Sequence, residues 1–217
     1  EQGKNAITFL NAVGYHAMTM GNHEFDWGVD NLKRLAGEAK FPFLAANIVD
    51  HLSQELVFEA NKIFEMPNGM KVGVFGLTTP ETLTKAHPDK VRGIDFLQGD
   101  KLIEVAEKQV AELTEAGADF IILLSHLGMD GESAPNRSVD VLEKVKGIHL
   151  LIDGHSHTLL EKGEMVGETL VVSAGYHGKH LGVVVFEDGK LTASLFNSIN
   201  KSATVEHDGA VYSAILT

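Results

Sequence analysis

The chain has 217 residues, of which 44% are hydrophobic and 22% charged, with a formal net charge of −12 and no cysteine. That length allows one well-buried α/β domain, and the composition is ordinary for a globular chain. Disulfides and thiolate metal sites are excluded, and no stretch approaches the roughly 18 apolar residues of a membrane span. The acidic surface disfavours nucleic-acid polymers but leaves a small phosphate ester open, because bound dications would reverse the local field.

Ala6, Phe9, Leu10 and Val13 fall at helical spacing and predict a helix over 4–13, stopped by Gly14. Residues 1–10 read as the interior of a helix, not as a signal peptide. Residues 15–20 form a short strand running into Gly21, a helix spans about 29–39, and Pro42 opens the short strand FLAAN. Residues 55–66 and 70–77 read as paired strands joined by a turn at Pro67, Asn68 and Gly69. A long helix over about 99–116 carries Leu102, Val105, Ala106, Val110 and Leu113 on one face and ends at Gly117. ADFIILLSH is a buried strand, followed by a helix near 138–146 and the strand IHLLIDGHSH. Strands at 168–174, 180–187 and 190–199 follow, the last two joined by a turn at Asp188 and Gly189, and residues 207–216 read as the start of another helix. Two β-α-β stretches and a β-rich tail predict packed sheets covered by helices.

Three histidine motifs share one placement: GNHEFD at 21–26, SHLG at 125–128 and GHSH at 154–157 each follow a strand. Loops at the carboxyl ends of strands are where α/β folds build their sites. Neutral imidazole is the commonest metal ligand, with carbonyl and carboxylate oxygens completing sites for Zn, Mn and similar ions. Just past a strand end, His155 and His157 can diverge towards two ions about 3.5–4 Å apart. Taken alone, GHSH is also compatible with a polar surface loop, and His126 with an ordinary core or loop histidine. GNHEFD shifts that balance. Asn22 offers a side-chain carbonyl to a metal, His23 can meet a phosphate, and Asp26 can accept a hydrogen bond from His23 and hold its tautomer. Glu24 supports the turn from behind. The competing reading of the motif is a helix entry capped by Asn22 or Asp26 near Trp27.

GNHEFD, the WGVDNLKRLAGEAKFPFLAANI that follows it, GLTTPET at 76–82, SHLG, DGHSHT at 153–158 and AGYHGKHLG at 174–182 together resemble the calcineurin-like metallophosphoesterases. More narrowly, they resemble the metallophosphatase domain of the bacterial 5′-nucleotidase and UDP-sugar hydrolase family, over about residues 4–200. The resemblance implies an α/β fold, a four-layer α/β/β/α sandwich, here N-terminally incomplete. It implies two divalent metal ions, Zn, Mn or similar. Asn22, His126 and His155 would ligate one ion and His157 the other. His23 would be the catalytic histidine, stabilising charge on the transferring phosphoryl group, with Asp26 orienting it. The implied reaction is attack of a metal-activated water on a nucleoside 5′-monophosphate, giving nucleoside and phosphate. Hydrolysis of 2′,3′-cyclic nucleotides with 3′-nucleotidase action, or of UDP-sugars, is the alternative within the family, and a non-catalytic binding protein the alternative outside it.

The family also carries an Asp-x-His and a Gly-Asp motif upstream of GNHE, and the 20 residues before Gly21 contain no Asp and only His16 as a histidine. The expectation is therefore a piece of a longer enzyme, holding one ion or none by itself. Residues 1–200 would form the phosphoesterase domain and 201–217 a linker towards a separate nucleoside-binding domain. The resemblance further implies a periplasmic, secreted or cell-surface location. Outside the motifs, His51, His87, His149, His180 and His207 read as surface or sheet histidines. His177 lies in a Gly-flanked turn near the site, and Asn47 ends a strand at its edge. Trp27 is expected to pack behind the GNHE turn, and Thr78 and Thr79 to cap the next helix.

Overall fold

The computed structural model describes residues 1–197. In chain order they form α1 (Lys4–Val13), β1 (Met18–Thr19), α2 (Val29–Glu38), β2 (Phe43–Leu44), β3 (Ile48–Asp50), β4 (Asn61–Glu65), β5 (Lys71–Thr78) and α3 (Thr82–Lys85). Then come β6 (Ile94–Phe96), α4 (Asp100–Glu115), β7 (Phe120–His126), α5 (Ser138–Lys144), β8 (Leu150–Ile152), β9 (Glu164–Val166), β10 (Thr169–Val172), β11 (His180–Glu187) and β12 (Lys190–Asn197).

The runs KVGVFGLT and FIILLSH are apolar almost throughout, a pattern that needs cover on both faces and suits parallel strands. They become β5 and β7, at the centre of a six-stranded sheet of order β4-β5-β7-β8-β10-β9. Strands β5, β7, β8 and β10 are parallel, and β4 and β9 join antiparallel at the two edges. On one face, Leu102, Ala106 and Leu113 of α4 and Val141 and Leu142 of α5 pack on Phe75, Leu77, Ile121, Leu123, Leu151 and Val171. Burying each such leucine stabilises the fold by about 1.5–3 kcal/mol. The other face, built from Val72, Val74, Phe120, Leu150 and Leu170, is covered by Leu44 and by Val184, Leu191 and Ala193. These come from the parallel pair β1–β2 and the antiparallel hairpin β11–β12. Helices α1 and α2 lie beyond β1–β2, with Ile7, Leu32 and Leu35 packed on Phe43, Ile48 and Phe96.

The order of layers is thus helix, six-stranded sheet, second β layer, helix, as the resemblance implies. That second layer consists of two separate two-stranded pieces. A close approach fixes one of them: a Cβ at Gly76 would lie 2.0 Å from the Leu44 carbonyl oxygen. Glycine therefore lets the end of β2 touch the backbone of β5, where the Ala46 N–H donates to the Gly76 carbonyl at 2.8 Å.

The long helix, the 4–13 helix and the tail hairpin stand where periodicity puts them. The expected strand over 15–20 shrinks to Met18–Thr19, because its partner β2 pairs with only those two residues. Residues 55–60 do not join β4; their backbone pairs with β2 and β3 at the isolated bridges of Glu59 and Leu56, and Phe58 packs in the cluster of Phe43 and Ile48. Strands β3, β6 and β9, three residues each, are too short for alternation to reveal. The helix expected at 207–216 lies outside the described residues.

Candidate active site

Because β5, β7, β8 and β10 run parallel, their carboxyl ends share one edge of the sheet, and the loops after them meet there with the loop after β1. After β1, Asn22–Phe25 form a 3-10 turn. The Gly21 N–H donates to Glu24 Oε2 at 2.6 Å, closing the turn from behind as the sequence predicts. Phe25 anchors it, fully buried and edge-on to Phe96 with ring centroids 5.4 Å apart. Asn22 is buried, whereas the His23 side chain is 82% exposed, its Nδ1 lying 3.1 Å from Asp26 Oδ2.

His126 is the last residue of β7, and its ring lies directly against Gly21, where a Cβ would fall 2.5 Å from ring atoms. Burial, reinforced by the neighbouring His155, His23 and His157, pushes the His126 pKa down to about 4. The ring is therefore neutral at ordinary pH, with a lone pair available. His155 stands beside it, ring centroids 5.3 Å apart, with Nδ1 3.2 Å from Asn22 Oδ1. Its backbone has φ of 70° and that of His157 has 56°, a left-handed conformation uncommon for residues other than glycine. Such backbone costs about 1–3 kcal/mol per residue and clusters at functional sites. The His157 ring stacks on Tyr176 at 4.9 Å and 28°, and Lys179 Nζ sits 4.3 Å from the centre of the Tyr176 ring.

A buried polar network holds the GHSH loop to the SHLG loop. Asp153 Oδ1 accepts from the Ser138 hydroxyl at 2.7 Å and from the Gly128 N–H at 3.3 Å, and Ser138 and Ser125 hydroxyls lie 2.7 Å apart. Ser156 Oγ accepts from the Met129 N–H at 3.1 Å. Burial raises the Asp153 pKa, and the serine and backbone donors oppose that rise only in part.

Asn22, His126 and His155 are thus brought together, the pair His23–Asp26 stands on the same turn facing solvent, and His157 sits with Tyr176. Glu81 was not assigned a role from the sequence. It follows β5, and its Oε2 lies 3.1 Å from His155 Nε2. Burial disfavours the Glu81 carboxylate, but the Ser133 hydroxyl and the His155 ring outweigh it and hold the pKa below the ordinary value, although Oε1 closes no full hydrogen bond. The sign available in the sequence was only its position in a loop at the carboxyl end of a parallel strand.

Several neighbouring readings change. Trp27 is 56% exposed, and Phe25 is the residue that packs behind the turn. Helix α2 starts at Val29 after Gly28 and is capped by neither Asn22 nor Asp26. Asn47 is a brace: its side chain bonds both the N–H and the carbonyl of Thr78, tying the end of β2 to the end of β5. Neither Thr78 nor Thr79 caps α3: its N-cap is Glu81, with no side-chain cap. Thr79 Oγ1 only accepts from the Glu81 N–H at 3.2 Å in the turn before it, and Thr78 Oγ1 is buried without a hydrogen-bond partner among the described residues. His51 pairs with Asp95, His149 accepts from the Ile121 N–H, and His207 lies outside the described residues.

The donor set of Asn22 Oδ1, neutral His126 and His155 suits one side of a divalent ion that takes nitrogen and oxygen ligands. Among the described residues, no group of three or more His, Asp or Glu side chains converges as a complete cation site. The fit is to part of one ion's shell.

The family model described as calcineurin-like phosphoesterase matches residues 3–159. A 2′,3′-cyclic-nucleotide 2′-phosphodiesterase/3′-nucleotidase of Salmonella typhimurium is 31% identical over 81% of this chain and 30% of its own length. A 5′-nucleotidase of Vibrio cholerae is 32% identical over 92% of this chain and 40% of its own. Among solved structures, the calcineurin-like phosphoesterase YfkN from Bacillus subtilis superposes with a TM-score of 0.79 at 28% identity, covering 98% of this chain and 72% of that one. The chain spans less than half the length of these two curated relatives.

Proposed function

Because the chain belongs to the calcineurin-like phosphoesterase family, we propose that it carries machinery for hydrolysing nucleotide phosphate esters, with nucleoside 5′-monophosphates as the preferred class. The observation that carries this reading is the meeting of Asn22, His126 and His155 beside the exposed pair His23–Asp26. Members of the family use divalent metals. In this reading Asn22, His126 and His155 hold one ion and His157 contributes to a second, Zn, Mn or similar. Such ions lower the pKa of a bound water and neutralise phosphate oxygens.

The chain's own side chains supply the rest. Burial keeps His126 neutral, so no proton competes for its lone pair. Asp26 accepts from His23 Nδ1 and leaves Nε2 directed outward. From that exposed position His23, when both ring nitrogens carry a proton, donates a hydrogen bond from Nε2 to a phosphoryl oxygen or to the departing alkoxide, a role worth about 10²–10⁴ in rate. In this reading residues 1–200 make up the phosphoesterase domain, and a separate domain of the longer protein contacts the nucleoside. A periplasmic, secreted or cell-surface setting goes with it. No described helix is long and apolar enough to cross a membrane.

The test is product analysis with the purified protein and Mn²⁺ or Zn²⁺: phosphate and adenosine from AMP or 3′-AMP, a ring-opened monoester from 2′,3′-cyclic AMP, and UMP with glucose 1-phosphate from UDP-glucose. Release from AMP that stops on adding EDTA supports the reading. Preference for the cyclic ester would move the activity towards that of the Salmonella relative. No metal-dependent hydrolysis of any of the four would overturn it in favour of a binding role.

A further inference from the structure

Glu81 leaves β5 through a turn fixed at several points. Its N–H donates to Thr79 Oγ1, the Thr82 hydroxyl donates to the Thr79 carbonyl at 2.7 Å, and the Lys85 N–H donates to the Glu81 carbonyl at 2.8 Å. The turn delivers the carboxylate to His155, whose ring is flanked by acceptors on both sides: Glu81 Oε2 at 3.1 Å from Nε2 and Asn22 Oδ1 at 3.2 Å from Nδ1. The His155 and Glu81 side chains are mostly buried, 11% and 21% exposed, so water does not readily replace the contact between them.

A neutral imidazole has one N–H and one lone pair. An ionised carboxylate is a stronger acceptor than an amide carbonyl, so the proton belongs on Nε2, facing Glu81. The lone pair of Nδ1 then faces the Asn22 oxygen at a distance where two acceptors repel. Such a juxtaposition is relieved when a cation takes both atoms as ligands.

We propose that Glu81 is a positioning residue of this site: it holds His155 as the Nε2–H tautomer and so turns Nδ1 and Asn22 Oδ1 together towards a divalent cation. The inference rests on the metal-binding reading above. A carboxylate behind a ligating histidine fixes its tautomer, and removing one typically costs 10–100-fold in metal affinity.

The experiment pairs two readouts on the whole protein and its Glu81→Gln and Glu81→Ala variants. Imidazole ¹⁵N shifts at pH 8 without metal report the tautomer of His155, and Mn²⁺ titration followed by electron paramagnetic resonance reports affinity. The expected result is an Nε2–H ring in the wild type and in Glu81→Gln, whose amide oxygen still accepts. Glu81→Ala is expected to mix the tautomers and to bind Mn²⁺ about 10–100-fold more weakly. An Nδ1–H or doubly protonated wild-type ring would overturn the proposal, as would a Glu81→Ala protein with unaltered tautomer and affinity. If Glu81→Ala shifts the tautomer but no variant binds Mn²⁺, the hold of Glu81 on the ring stands and the metal reading fails.

Discussion

Asn22, His126 and His155 lie packed between the ends of β1, β7 and β8, whereas His23 and Asp26, on the same turn as Asn22, stand in solvent. His157, two residues beyond His155, is exposed as well and leans on Tyr176. The difference separates two requirements. Groups that hold a fixed geometry must be locked by their neighbours, and here Gly21, Glu81 and Asn22 close on two rings. Groups that meet an incoming phosphate must be reachable and free to lose water to it. The buried half should therefore couple to folding stability, and the open half to turnover alone.

Changing the open half tests this most severely. His23→Ala is expected to lower kcat by about 10²–10⁴, equivalent to about 3–5 kcal/mol of barrier, while the melting temperature stays at its wild-type value. Steady-state kinetics with AMP and a thermal scan measure both. A large loss of stability would place His23 in the structural half and break the division.

The buried half answers to pH. In the unfolded chain His126 takes a proton near 6.5, and in the folded chain only near 4. Between those values the unfolded state binds more protons, so metal-free protein is expected to lose stability as pH falls through the window, by about 3 kcal/mol in all. Above 6.5 the ring is neutral in both states and adds no pH dependence. Asp153 acts in the opposite sense: burial raises its pKa, so the folded state takes up its proton first and the acid loss is partly offset just above pH 3.8. Urea unfolding from pH 7.5 to 4.5 measures the slope, and His126→Leu is expected to flatten it.

A smaller perturbation probes the same packing. Gly21→Ala puts a methyl 2.5 Å from the His126 ring, and overpacking of this kind costs about 1–3 kcal/mol. The ring must yield, so the variant is expected to lose both stability and Mn²⁺ affinity. Loss of either alone would show that the two are not coupled through His126.

The sequence made the buried half readable because a histidine after an apolar strand, repeated three times, has few places to go in an α/β fold. Helix α4 was legible from its stripe of Leu102, Ala106 and Leu113, all of which are fully or nearly fully buried. Glu81 was hidden because its partner lies 74 residues away and nothing local distinguishes it from a surface glutamate. The choice of Phe25 over Trp27 as the anchor depends on which side of a 3-10 turn faces Phe96, and apolar character alone does not decide that. The left-handed backbone at His155, His157 and His177 could not be seen either, since only glycine announces positive φ in a sequence. Division of the second β layer into two pieces was equally invisible, because strand pairing is set by tertiary register and not by composition.

The smallest expected effect concerns the support of His157. Its ring stacks on Tyr176, itself 43% exposed and covered on one side by the Lys179 ammonium. An aromatic pair adds about 0.5–1.5 kcal/mol beyond burial, and exposure puts this one at the low end. Tyr176→Ala is accordingly expected to cost about 0.5 kcal/mol in stability, while Tyr176→Phe, which keeps the stacking face, costs less. The sharper readout is the His157 ring-proton chemical shift, which should move towards the free-imidazole value in Tyr176→Ala and hold its position in Tyr176→Phe. With no lock comparable to Glu81 behind it among the described residues, His157 is expected to gain rotamer freedom when Tyr176 is removed, with His155 unaffected. If His155 also moves, the two histidines of GHSH share one rigid loop, and the boundary between the halves lies beyond His157.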